Sequence, residues 1–238
     1  MTAPVSPAHY FDPADFGRFA ECHPAYGDPE NKPIYFLFDM DREHEDLETT
    51  KAKFKYIDRI YNANIGNFVG KARVDTGGQL GVYWLAEQLH ADAGFRTLVS
   101  DASISDGLNE ATIDPAISTV QRFVGLINGK VKRTTDGAVS ACSKYLHFHS
   151  RAHPLYDSNA STALHVIFTA QDWRSLLSDP AREKERNRHD GCLTYPQLCA
   201  NELQLLKIAF PDKRAFQREV KQLDHYLIAL YRREWTAR

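Results

Sequence analysis

Only four of the 238 residues are cysteine (Cys22, Cys142, Cys192 and Cys199), and none forms a CxxC pair. Such scattered thiols read as reduced and cytosolic, although two disulfides remain open by count alone. Charge of one sign is also lacking, since 29 basic and 31 acidic side chains leave a net −2. That balance excludes a bulk polycation, so a nucleic-acid site would have to be a local basic patch. No apolar run reaches the length of a membrane span. The opening MTAPVSPAH has neither a basic n-region nor an apolar h-region, so no signal peptide is expected. A cytoplasmic protein is the expectation that follows. No internal repeat is seen, and strand patterning is thin. IYFLF and FRTLV are short apolar runs that suit a helix or a strand equally well.

What is present is a globular composition, 43% hydrophobic and 25% charged. The length suffices for one large domain or two small ones that share a core. The reading is a single helical domain over 1–238, with two helical lobes as a variant and residues 100–170 carrying the chemistry. Helical periodicity dominates. Phe54, Ile57, Ile60 and Tyr61 form one stripe, and Val82, Leu85 and Leu89 another. Ile113, Ile117, Val120, Val124 and Ile127 make a longer one, and Leu164, Ile167 and Phe168 follow Asp157. Phe216, Val220, Leu223, Leu227 and Leu230 make the cleanest. Turn-rich breaks at GDPENKP, RVDTGG, SDASISDG, NGKVKRTTDG, RAHP and FPDK separate them. The expected fold is mainly α, with about eight to ten helices and little or no β-sheet. SDPAREKERNRHDG, 178–191, has almost no apolar residue and reads as an exposed loop: a solvated charge run or, through Arg182, Lys184, Arg186 and Arg188, a contact to DNA.

The segment SACSKYLHFHSRAHPLYDSNASTAL, 140–164, holds a lysine and an aspartate thirteen residues apart. On a helix over 139–149, Val139, Cys142, Tyr145, Leu146 and Phe148 cover an apolar arc. Ser140, Ser143, Lys144 and His147 share the polar one, which makes Lys144 a solvent-facing lysine beside two small hydroxyls. Asp157 stands just before the next stripe, where Asp is a preferred N-cap. A cap of this kind is compatible with catalysis, because a carboxylate at a helix N-terminus is fixed in direction and favoured in its charged form.

Together, SACSKYLHF and HPLYDSNASTAL resemble the catalytic segment of the helix-hairpin-helix DNA glycosylase superfamily over about thirty residues. In that family a lysine starts the second helix of the hairpin, and a loop delivers an aspartate to the start of the next helix. By position Lys144 matches the lysine and Asp157 the aspartate. Two departures stand out. TTDGAVSACSK has only Gly137 where the family's hairpin usually has two glycines, so the hairpin is degenerate, and the lysine-to-aspartate spacing is shorter than usual. The organisation is similar to that of small bacterial glycosylases proposed to attack hypermodified bases in phage DNA. The iron–sulfur cluster of some members finds no support in these cysteines, and no cofactor is implied.

The resemblance implies an enzyme whose partner is double-stranded DNA carrying a modified base, with no protein partner evident. The target nucleotide is flipped out, and its N-glycosidic bond is cleaved. Asp157 would stabilise the oxocarbenium-like sugar or orient water. Lys144, as a neutral amine, would attack C1′ and add a lyase step, or else hold a phosphate. Lys130, Lys132 and Arg133, with Ser143, His149 and Arg151, would grip phosphates. Tyr156 would stack on the flipped base. A zinc site at His147, His149 and His153, with Cys142, is disfavoured because His147 and His149 face different sides of the helix and His153 follows the break. The rival reading is a non-catalytic DNA-binding or interaction protein on the same scaffold, with Asp157 as a cap only.

Overall fold

The computed structural model describes residues 11–22, 32–61, 63, 65–70, 81–102, 107–131, 138–170, 172–191 and 193–235. Among them the regular structure is helical: α1 (Pro13–Cys22), α2 (Lys32–Met40), α3 (Leu47–Arg59), α4 (Ile65–Gly70), α5 (Gly81–His90), α6 (Ala93–Asp101), α7 (Ile113–Val131), α8 (Ala138–Ser150), α9 (Ser158–Thr169), α10 (Trp173–Ser178), α11 (Glu183–Arg186), α12 (Tyr195–Ala209) and α13 (Arg218–Arg232). The two ambiguous runs, IYFLF and FRTLV, lie in α2 and α6. The helices outnumber the sequence expectation because α4, α10 and α11 are too short to show a period. No strand occurs among the described residues; one isolated antiparallel bridge joins Leu108 to Phe216. Contacts divide the chain into two units. One takes the described residues of 1–26, 106–113 and 156–238, and the other those of 27–105 and 114–155.

In the first unit α13 carries the core stripe, with Val220, Leu223, Tyr226, Leu227 and Leu230 buried. The helix begins at Arg218, so Phe216 is not its first turn as the stripe suggested. Phe216 is instead fixed by the bridge, its N–H donating to Leu108 O at 2.9 Å and its carbonyl accepting from Leu108 N at 2.7 Å. Gly107, next to that bridge, has φ +79°, and a Cβ there would stand 3.0 Å from Phe216 O. Both conditions require glycine. Phe16 and Phe19 of α1 each set their rings 5.4 Å from Tyr226. The buried Asp15 carboxylate accepts from Tyr226 Oη at 2.9 Å and Trp235 Nε1 at 3.2 Å. The charge run 178–191 is no open loop. It forms a 3-10 turn at Pro180–Arg182, then α11, then a second 3-10 turn at Asn187–His189. The reason is local pairing. Arg182 binds Asp172 and Glu185, and the buried Arg186 guanidinium lies 4.4 Å from the Tyr231 ring centroid.

In the second unit α8 is the central helix, and every residue from 141 to 149 is buried. Tyr145 is its hub, with the rings of Phe38, Phe54, Phe95 and Phe123 4.6 to 5.9 Å away. Such tilted and edge-on contacts are each worth about 0.5–1.5 kcal/mol beyond area burial. On α7 the buried stripe is Ala116, Val120, Phe123, Ile127 and Val131. Ile117 and Val124 of the expected stripe stay half-buried.

Candidate functional site

α8 supplies Lys144 to the second unit, and most of the polar arc expected to face solvent is inside the protein, with Ser140 half-buried at its start. Ser143 and His147 are fully buried, and Lys144 keeps 6% exposure. The arc can be buried because its members find partners, which offsets their desolvation. Ser143 Oγ donates to Ser140 O at 3.1 Å, and Lys144 Nζ donates to Tyr61 O at 2.8 Å. His147 Nδ1 donates to His153 O at 2.8 Å, and its Nε2 lies 3.1 Å from Tyr35 Oη. Lys144 is therefore a held, nearly buried amine, not the open lysine of the sequence pattern.

The phosphate-binding candidates separate. Lys132 and Arg133 lie outside the described residues. Lys130 pairs with Asp92 at 2.6 Å, the residue whose carboxylate also caps α6 through Gly94 N. The ammonium holds the Asp92 carboxyl below its ordinary value. Arg151 ends α8 in the left-handed region, at φ +63°. It pairs with Asp39 at 2.6 Å and lies 5.0 Å from the Tyr35 ring centroid. A phosphate would compete with a carboxylate at both cations. His149, expected beside phosphate, is buried in the core and no cation there. Burial first, then the charges of Arg42 and Lys53, push its pKa down to about 4.

His149 belongs to a polar cluster that the sequence reading missed. His44 is fully buried at φ +55°, a strained backbone for a non-glycine residue. Its Nδ1 donates to Arg42 O at 2.8 Å, so Nε2 accepts from Tyr145 Oη at 2.6 Å. The rings of His44 and His149 stand 5.5 Å apart. Burial, then Lys53, lowers His44 to about 3. Lys53, fully buried on α3, donates to Asp41 O, and desolvation lowers it to about 8. One signal was available: Thr50, Lys53, Phe54 and Ile57 make an i, i+3, i+4, i+7 stripe with the lysine in it. His44 gave none, because DREHEDLE reads as solvated charge.

In the first unit Asp157 is the N-cap of α9. Its Oδ1 accepts from Asn159 N at 2.9 Å and Ala160 N at 3.4 Å, and the residue is half-buried. Tyr156 beside it donates Oη to Leu193 O at 2.9 Å with its ring edge-on to Tyr195. The carboxylate is fixed in direction and reachable. The tyrosine ring is half-buried and engaged at its hydroxyl. Among the described residues no three His, Cys, Asp or Glu side chains converge as metal ligands. Nor is any helix among them long and apolar enough to cross a membrane. Chemically, the first unit offers an oriented carboxylate, and the second an amine already bound to a carbonyl. No family model, no curated protein and no solved structure matches this chain.

Proposed function

We propose that the chain is a DNA glycosylase that flips out a modified base and cleaves its N-glycosidic bond, leaving an abasic site. The observation that carries this reading is Asp157, half-buried and oriented by two backbone amides at the head of α9. It follows, across a proline-containing loop, the helix that bears Lys144. That order of helix, loop and capping aspartate is what the resemblance to the helix-hairpin-helix glycosylases implies. A carboxylate so held faces a developing oxocarbenium charge without reorganising. Since Lys144 is bound to the Tyr61 carbonyl, water is the favoured attacker and Lys144 a structural or phosphate-holding group. The context in this reading is the cytoplasm, in repair or in defence against phage DNA with modified bases.

A second reading, a non-catalytic DNA-binding or interaction protein, is favoured by one observation. Lys130, Lys144 and Arg151 all have protein partners, and Asp157 is a satisfied cap without any substrate.

The test is incubation with DNAs carrying different modified bases, scored for abasic sites. Asp157→Asn keeps a cap, since Asn caps about as well as Asp. It removes the charge, and losing a well-placed electrostatic stabiliser costs about 2.7–4 kcal/mol of barrier, roughly a hundred- to a thousandfold in rate. Base release should collapse while DNA binding and stability persist. Borohydride trapping, lost in Lys144→Gln, would instead identify Lys144 as a nucleophile. Base release at wild-type rate in Asp157→Asn reduces Asp157 to a helix cap and removes the enzymatic reading.

A further inference from the structure

The second unit carries an open groove of about 680 Å³ on α2, α3 and α5. Its apolar lining is Leu37, Ala52, Tyr56, Ile60 and Tyr83, with Ile60 at the exposed rim. The large apolar side chains that stand most exposed among the described residues belong to two of the same helices and their ends. Phe36 is 66% exposed, Met40 63% and Ile60 63%. Phe36 and Met40 are one turn apart on one face of α2, and the groove-lining Leu37 stands beside that face. Isolated exposed apolar residues need no explanation, but a group of them around an apolar groove marks an interaction surface.

The charges along α3 identify what fits it. Glu48, Ala52, Lys55 and Arg59 line the groove at i, i+4, i+7 and i+11, the spacing of a helix-pairing seam. Lys51 and Tyr56 flank that seam. The acid lies at one end and the cations at the other, about 16 Å apart at the α-helical rise. Lys55 has no carboxylate partner among the described residues, and its ammonium stands 5.2 Å from the Tyr83 ring centroid. The Arg59 side chain is 64% exposed; its neighbour Asp58, 3.7 Å away, is turned inward and accepts from Gly66 N. Glu48 is 78% exposed even while it touches Lys51. With Glu87 holding Lys51 from the other side at 2.8 Å, the patch is near neutral but polarised along the helix.

Such a pattern is its own complement when reversed. If a second α3 runs antiparallel across the first, Glu48 meets Arg59 of the other copy, Ala52 meets the Lys55 stem, and Lys51 meets the Tyr56 ring. The three pairings share one centre, between residues 53 and 54, which is what a two-fold contact requires. A nucleic-acid strand fits less well, since its phosphates want a cationic and polar surface. Here Lys55 and Arg59 would attract them, but Glu48 and the apolar lining along the rest of the groove would not.

We propose that this groove is the contact surface of a two-fold dimer, in which α3 packs antiparallel on α3 of a second copy of this chain. The Glu48–Arg59 pairs set the register, and Phe36, Met40 and Ile60 supply apolar burial at the flanks. The surface is independent of the glycosylase reading, and its test does not involve DNA.

Sedimentation velocity over a concentration series should show the wild-type chain passing from monomer to dimer. Glu48→Arg and Arg59→Glu, each alone, set like charges opposite one another at both symmetric contacts. Either should weaken the dimer by about tenfold or more in Kd. Mixing the two variants restores opposite charges at both contacts, so the equimolar mixture should dimerise while neither component does. That recovery cannot come from a folding defect, because the same two chains are present. A wild-type chain that stays monomeric up to millimolar concentration overturns the proposal. So does a dimer that both variants leave intact, a mixture that fails to recover, or a monomer that binds oligonucleotide through Lys55 and Arg59 instead.

Discussion

Two carboxyl groups of the first unit stand in opposite situations. Asp157 is half-buried at a helix head with backbone amides as donors. Glu202 of α12 is fully buried, and neither of its oxygens has a hydrogen-bond partner among the described residues. Burial, with the Asp224 charge adding to it, pushes the Glu202 carboxyl well above its ordinary value. A buried carboxyl of this kind is held neutral in the native state but ionises in the unfolded chain. Stability is therefore lost as pH rises through the ordinary carboxylate range toward the raised native value. Glu202→Met keeps the length and drops the ionisable group, so it removes the cost of keeping a buried carboxyl protonated. The variant should be close to wild type at pH 4 and more stable by several degrees at pH 8, read as Tm by circular dichroism. An equal shift at both pH values would mean that ionisation is not what Glu202 contributes. The sequence marked Asp157 because caps obey a local rule. It was silent on Glu202, because burial of one polar position on a helix is decided by the facing helix.

At the scale of elements, periodicity placed α3, α5, α9 and α13 as helices, but the stripes are not their whole buried sets: Ile60 of the α3 stripe is exposed past the helix end, and residues 160–164 of α9 and 220–224 of α13 are buried without a break. It failed on α8, which is enclosed on all sides, so its polar arc could not be told from a solvated one. What distinguishes the two is the partner of each polar group, and Tyr61 and Tyr35, which meet Lys144 and His147, are far away in the chain. The enclosure makes α8 sensitive to acid. His44, His149 and His153 have native values of about 3, 4 and 4, lowered chiefly by burial. Each is neutral in the folded state and takes up its proton near 6.5 when unfolded. Their contribution to stability is whole above that value and is lost as pH falls from about 6.5 toward 4, at up to about 1.4 kcal/mol per pH unit for each ring. Urea unfolding at pH 7, 6 and 5 should show a steep fall. His149→Gln should flatten it without abolishing it. A slope unchanged by that substitution would place the acid sensitivity elsewhere.

At the scale of the whole molecule, the two units interleave along the chain, which local patterns do not announce. No composition shift marks the passages near residues 106, 113 and 156, so the reading of a single helical domain over 1–238, with two helical lobes as a variant, had no boundary to place. The groove on α3, by contrast, was open to sequence inspection: Glu48, Ala52, Lys55 and Arg59 are a seam in plain view, but only their exposure distinguishes a contact surface from a buried one. The interleaving also sets a timetable for synthesis. The described residues of the second unit have all been made once the ribosome passes 155. The first unit has by then only α1 and the short stretch near 108. Asp15 must wait for Tyr226, 211 residues downstream, to bury its carboxylate. At typical elongation rates that wait is on the order of ten to forty seconds. Stalled nascent chains ending beyond residue 200 should already protect α8 from protease while α1 is still cut. Throughout that interval the Phe16 and Phe19 side chains have no α13 to cover them, and α1 waits longer for its cover than any other described helix of its unit.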